Sequence, residues 1–235
     1  MKAKPFYFKQ FTIHQDRCAL KVGTDGVLLG AWTDCSGAKS ILDIGSGTGV
    51  ISLMLAQRSA ANINAIEIDK DAAEQCAENF QNSNWKERLE VIHSSVQDYT
   101  DTELIEKFDL IASNPPFYSI QKEINRRSTA RSEQELNLQQ LIDCVAKVLA
   151  ASGKFNIIYP NDRKSELMKV CASYHLFPSK ICCVKGTEHS KIKRILVEFA
   201  FGKQTAIESQ LTIELQRHEY TEEYRDLCKD YLTIF

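Results

Sequence analysis

From residue 40 onward, short runs of aliphatic and β-branched residues alternate with segments whose apolar positions recur every three or four residues. The first kind predicts strands and the second amphipathic helices. Ser40–Ile44, Ile63–Ile68, Leu89–His93, Phe108–Ser113 and Lys154–Tyr159 read as strands. Val50–Arg58 and Asp71–Gln81 read as helices, the latter with Ala72, Ala73, Cys76, Ala77 and Phe80 apolar. Leu138, Leu141, Ile142, Val145, Val148 and Leu149 mark one face of a longer helix, and a further helix is expected near Arg163–Tyr174. Lys180–Val184 and Lys193–Phe201 close the pattern as two more strands. The order predicts an α/β fold: a mostly parallel seven-stranded sheet with helices on both faces, the closing pair forming an antiparallel edge hairpin.

The segment before residue 40 departs from this rhythm. Thr24 and Asp25 are placed to cap a short helix carrying Val27, Leu28, Leu29 and Trp32. No Gly/Ser or Pro linker divides the chain, which predicts a single domain: residues 1–39 as an N-terminal lid, 40–201 as the core and 202–235 as a C-terminal extension. At 43% apolar and 26% charged residues, the chain has the composition of a globular protein rather than a disordered one. No apolar run approaches the roughly 20 residues a spanning helix needs, so no membrane association is expected. The N-terminus lacks the apolar core of a signal peptide, and eight scattered cysteines without a CxxC pair read as free, buried thiols. Both point to the cytoplasm, and neither a metal site nor an obligate protein partner is expected.

The strongest local signal is Asp43-Ile44-Gly45-Ser46-Gly47-Thr48-Gly49, where a buried strand runs through a glycine-rich turn into a helix. Glycines suit a sharp turn that must approach a ligand without a Cβ in the way. The spacing is GxGxG, not the GxGxxG of dinucleotide enzymes. About 20 residues further on, Glu67 falls at the end of the second strand, where an acid suits contacts to ribose hydroxyls. Asp69, two residues later, reads as the cap of the following helix.

After the fourth strand comes Asn114-Pro115-Pro116-Phe117. Two prolines make a stiff turn poor in N–H donors. Asn114 offers a side-chain carbonyl, Pro115 a backbone carbonyl, and Phe117 an aromatic face for stacking. Such a group can accept both hydrogens of one planar NH₂, which makes Asn114, Pro115 and Phe117 the candidate catalytic residues. Two basic clusters flank it in sequence: Lys122, Arg126, Arg127 and Arg131, and Lys191, Lys193 and Arg194. They form a candidate phosphate-binding footprint despite a net charge of −2.

The glycine loop with its preceding acid resembles motif I of the class I S-adenosylmethionine-dependent methyltransferases, which have a Rossmann-like fold. The Asn-Pro-Pro-Phe segment resembles the motif with which such enzymes methylate planar amino nitrogens. That resemblance implies S-adenosyl-L-methionine as methyl donor, held by Asp43, Gly45, Ser46, Gly47, Thr48, Gly49, Glu67 and Asn114. It also implies an adenine contact at Asp98 and a contact to the methionine end at Thr24 and Asp25. Phe8-Lys9-Gln10-Phe11, Lys21–Trp32 and Tyr220-Thr221-Glu222-Glu223-Tyr224 narrow the likeness to the bacterial tRNA1(Val) (adenine-N6)-methyltransferases, over essentially the whole chain. That family implies tRNA as the partner and methylation at position 37, next to the anticodon. Lys193-Arg194 and Lys229-Asp230-Tyr231-Leu232 match it only loosely. A guanine-N2 rRNA methyltransferase and a protein-glutamine N5 methyltransferase stand as alternatives. The latter usually carries an extra N-terminal helical domain, for which the 39 residues before the first core strand are too few.

Overall fold

A computed structural model describes residues 3–101, 107–116 and 137–235. In chain order the elements are β1 (Phe6–Tyr7), β2 (Thr12–Ile13), α1 (Thr24–Trp32), β3 (Ser40–Ile44), α2 (Val50–Arg58), β4 (Asn62–Glu67), α3 (Lys70–Gln81), β5 (Leu89–His93), α4 (Val96–Thr100), β6 (Phe108–Ser113), α5 (Leu138–Val148), β7 (Leu149–Pro160), α6 (Lys164–Ser173), β8 (Leu176–Thr187), β9 (Ile192–Phe201), β10 (Ile207–Gln216), β11 (Glu219–Tyr220) and α7 (Glu222–Cys228).

One sheet runs in the order β11-β10-β8-β9-β7-β6-β3-β4-β5. Its β7-β6-β3-β4-β5 half is parallel throughout. Successive residues of a strand point to opposite faces, and here both faces are buried. Ile41, Leu110 and Ala112 feed a core under α1, α2, α3 and α7. Leu42, Ile44 and Ile111 feed a second core under α4, α5 and α6. Two-sided burial is why these strands appear in the sequence as near-continuous apolar runs.

Three expectations are corrected. The sheet has nine strands rather than seven, because the C-terminal residues continue it through β10 and β11. The β8–β9 hairpin is therefore interior: β9 lies between β7 and β8, and β10 pairs with β8 in parallel. Of β10 only Leu211 is buried, so its apolar signal is weak. Thr24 and Asp25 do not cap α1 either; Gly23 holds the N-cap position without a side-chain hydrogen bond. Asp69 caps α3 as expected, accepting from the Ala72 N–H at 2.9 Å.

α1 packs directly on α2. A Cβ on Gly30 would sit 2.8 Å from Met54 Sδ, and one on Gly26 would sit 3.2 Å from Val50 Cγ1. Two glycines one turn apart let the helix backbones approach closely and set where the N-terminus of α1 points.

A buried charge ties the middle of the sheet together. Glu198 on β9 is 1% exposed and accepts hydrogen bonds from Lys154 Nζ at 2.8 Å, Ser179 Oγ at 2.6 Å and Lys180 Nζ at 3.4 Å. Burial pushes this carboxyl up, but the bonds from Lys154 and Ser179 and the lysine charges outweigh it and leave its pKa lowered. Its contribution to stability is present above the ordinary carboxylate range and is lost as pH falls through the depressed native pKa. E198Q is expected to lower stability by about 1–3 kcal/mol near neutral pH. Urea unfolding should show the gap to wild type narrowing on acidification; a gap that does not change with pH would remove the charge from this role.

Candidate methyl-transfer site

The carboxyl ends of β3, β6 and β7 and the start of β9 open on a cleft of about 1290 Å³. The glycine loop forms its floor. Gly45, Gly47 and Gly49 have φ of +75°, +53° and +80°. That left-handed backbone strongly favours glycine. Gly45 and Gly47 line the cleft, and no protein atom stands within 4 Å of where a Cβ on either would be. Gly49 is constrained twice, since a Cβ there would meet the Phe80 ring at 2.6 Å.

The loop is anchored from three sides. The Gly45 and Ser46 N–H groups donate to the Ile66 carbonyl at 2.9 and 3.1 Å. Glu67, at the end of β4, accepts from the Gly47 N–H at 2.8 Å and, through its other oxygen, from the Asp69 N–H at 2.9 Å. Asp43 is fully buried and reaches into the first turn of α2, accepting from Ser52 Oγ at 2.7 Å and the Ser52 N–H at 3.2 Å. Burial pushes the Asp43 carboxyl up to about 6, against the Ser52 hydrogen bonds and with the Glu67 charge adding to the rise. Its second oxygen, Oδ1, has no hydrogen-bond partner.

Two buried amides on α3 bring the N-terminal segment over this loop. Asn79 accepts from the His14 N–H at 2.9 Å and donates to the His14 carbonyl at 2.8 Å and the Thr48 carbonyl at 2.9 Å. Gln75 accepts from the Arg17 N–H at 2.8 Å. Neither residue was expected at the site from sequence. Polar residues on the buried stripe of α3 were the signal that could have found them.

Across the cleft, β6 ends in Asn114, Pro115 and Pro116, all three lining it. Asn114 turns its Nδ2 end toward α1, 3.9 Å from where a Cβ on Gly26 would be. Thr24 and Asp25 line the cleft from the first turn of α1, and Lys191, Lys193 and Arg194 line it from the start of β9. Arg194 donates from Nε to Asp25 Oδ2 at 2.9 Å, so two residues expected to contact different ligands meet each other.

The structure thus brings Thr24, Asp25, Gly45, Ser46, Gly47, Thr48, Asn114, Pro115, Lys191, Lys193 and Arg194 to one cleft. Gly49 and Glu67 sit just behind it, holding the loop. Asp43 is not on the cleft wall: its place is beneath the loop, bonded to α2. Asp98 is not on the wall either. It is exposed on the first turn of α4, where its carboxylate accepts from Ser95 Oγ at 2.7 Å while its N–H donates to that oxygen at 3.0 Å. Phe117, Lys122, Arg126, Arg127 and Arg131 lie outside the described residues. Pro160, Asn161, Asp162, Lys185 and Ser190 also line the cleft. They went unexpected because only the pairing of β7, β8 and β9 gathers them. Among the described residues, no group of three or more His, Cys, Asp or Glu is arranged to hold a metal. No helix there is long and apolar enough to cross a membrane.

A doubly wound sheet with a glycine cradle after its first parallel strand, an acid closing the next strand and an Asn-Pro-Pro turn facing the cradle is the architecture of the class I methyltransferase fold. Residues 22–170 match the methyltransferase small domain family. Among solved structures, a predicted O-methyltransferase of Agrobacterium tumefaciens shares the fold with a TM-score of 0.71 at 19% identity, covering 88% of this chain and 96% of that one. Over 98% of both chains the sequence is 47% identical to the tRNA1(Val) (adenine(37)-N6)-methyltransferase of Christiangramia forsetii. Identity to the same-named protein of Bacteroides thetaiotaomicron is 44%, over 97% of this chain and 98% of the relative. The chain belongs to the tRNA1(Val) (adenine(37)-N6)-methyltransferase family.

Asn79 makes a direct prediction. Asn79→Ala strands the His14 backbone groups and is expected to cost about 1–3 kcal/mol. Hydrogen exchange of amides 12–18 should accelerate far more than that of β3. Uniform acceleration in both would show that Asn79 supports the fold generally and does not pin this segment.

Proposed function

We propose that this protein transfers a methyl group from S-adenosylmethionine to the exocyclic N6 of adenosine 37, just 3′ of the anticodon, in a valine tRNA. The relatives matched over nearly the whole chain, tRNA1(Val) (adenine(37)-N6)-methyltransferases, supply the nucleotide and the tRNA. The reaction type has independent support in the Asn114-Pro115 turn, which faces the glycine loop across the cleft. That juxtaposition is the observation that carries the proposal.

The residues present fit the donor. Gly45 and Gly47 leave the floor open to a ligand's close approach, and Glu67 stands at the strand end where a ribose would be held. Gly45, Ser46, Gly47, Thr48 and Glu67 would hold the donor, with Thr24 and Asp25 closing over it from α1. When bound, S-adenosylmethionine supplies an electrophilic methyl group on a sulfonium sulfur.

The chain's own contribution is positional and electrostatic. An aromatic amino nitrogen is a poor nucleophile because its lone pair is delocalised into the ring. Asn114 Oδ1 and the Pro115 carbonyl accept its two N–H groups and direct the lone pair toward the loop, giving an in-line displacement. Positioning of this kind supplies several kcal/mol of barrier reduction. The same acceptors stabilise positive charge developing on nitrogen. The methylated nitrogen then loses one proton to water. Lys185, Lys191 and Lys193 along the rim supply phosphate contacts, which position the RNA without reading its bases. A cytoplasmic location goes with a tRNA substrate.

Asn114→Ala tests the proposal. Methyl transfer is expected to fall by about 10²–10³-fold, the cost of removing one preorganised hydrogen-bonding group. Calorimetric binding of S-adenosylmethionine should stay close to wild type. Equal loss of binding and turnover would assign Asn114 to the donor alone.

A further inference from the structure

The Asp25–Arg194 pair has no place in the mechanism above. It joins the second residue of α1 to the third residue of β9, 169 positions apart, across the mouth of the cleft. The two ends differ in how firmly they are held. Arg194 is fixed by its strand, lying opposite Pro160 on β7 and Val184 on β8. The first turn of α1 has no side-chain cap, and Asp25 is its one acidic residue. A carboxylate there interacts favourably with the helix dipole. It also receives a directed N–H from Arg194 Nε at 2.9 Å, with the two side chains only 34% and 29% exposed. Arg194 further donates from Nη1 to the Lys193 carbonyl at 3.3 Å, tying the guanidinium back to its own strand.

We infer that Arg194 is a positioning residue for the donor end of the cleft. By fixing the Asp25 carboxylate it sets where the first turn of α1 stands over the glycine loop. The inference rests on the proposal that S-adenosylmethionine binds at that loop, and it changes what Arg194 does. Sequence alone groups Arg194 with Lys191 and Lys193 as a phosphate contact, a role felt only when RNA is present. The ion pair makes Arg194 felt at the donor site before any RNA arrives. It also follows that a phosphate drawn to this guanidinium competes with Asp25, linking the RNA rim to the donor end.

Calorimetry with S-adenosylmethionine and the full chain, without RNA, separates the two roles. The proteins are wild type, D25N, R194M and the double variant, each checked for an unchanged thermal midpoint. R194M is expected to bind the donor about fivefold more weakly or worse. The double variant should be little weaker than D25N, since both substitutions remove the same interaction. R194K, which keeps the charge but loses the Nε geometry, should fall between wild type and R194M, and it serves if R194M folds poorly. Donor affinity unchanged in both Arg194 variants, with the defect confined to the KM for tRNA, overturns the inference and leaves the proposed function standing. A wild-type chain that binds no S-adenosylmethionine overturns both.

Discussion

The turn from β3 into α2 is the constraint around which the rest is arranged. Three alternate residues, 45, 47 and 49, take left-handed backbone, so the turn needs glycine at each, and these three positions offer no side chain to hold it. Rigidity comes from outside. The Ile66 carbonyl, the Glu67 carboxylate and the Phe80 ring hold the loop from the neighbouring strand and helix. Asp43 holds the helix that follows, at the cost of burying a carboxyl with one oxygen unpartnered and a pKa pushed up to about 6. A buried acid of that kind is a poor way to stabilise a fold. It is intelligible where a backbone must stay open to a ligand and still keep one shape.

The N-terminal residues extend the same logic. β1 and β2 form only a two-residue pairing, too little to place the segment after them. Asn79 and Gln75 do so instead, bonding the backbone at His14 and Arg17 to α3, and Asn79 also holds the loop at Thr48. One amide thus joins the segment leading into α1 to the glycine loop. α1 then rests on α2 through Gly26 and Gly30, which leaves Asn114 its space beside Gly26. The segment leading into α1, the glycine loop and the Asn-Pro-Pro turn are therefore mechanically one unit, although they are far apart in sequence.

What could be read from sequence follows from where the information lies. β3, β5, β6 and α2 match their expected limits residue for residue. Their apolar runs are bracketed by polar or turn residues, and two-sided burial makes the pattern strong. β10 was missed because an outlying strand with a single buried residue carries little period-two signal. The interior placement of the β8–β9 hairpin depends on which strand pairs with which, a long-range fact that no local pattern encodes. The same holds at the site. The glycine loop, Glu67 and Asn114 announce themselves by spacing, whereas Asn161, Lys185 and the Asp25–Arg194 pair exist only once the sheet has formed. Asp98, expected at a ligand, lies on the first turn of α4, where its carboxylate accepts from Ser95 Oγ. The near-neutral net charge likewise concealed a cleft rim carrying Lys185, Lys191, Lys193 and Arg194.

The proposed reaction is methylation of an adenine amino group between the glycine loop and the Asn-Pro-Pro turn. Its most direct test is incubation of the protein with methyl-labelled S-adenosylmethionine and total tRNA lacking N6-methyladenosine, followed by mapping of the labelled nucleotide. Label should appear at N6 of the adenosine just 3′ of the anticodon in valine tRNA. Label in protein, on a guanine, or at another tRNA position would contradict this.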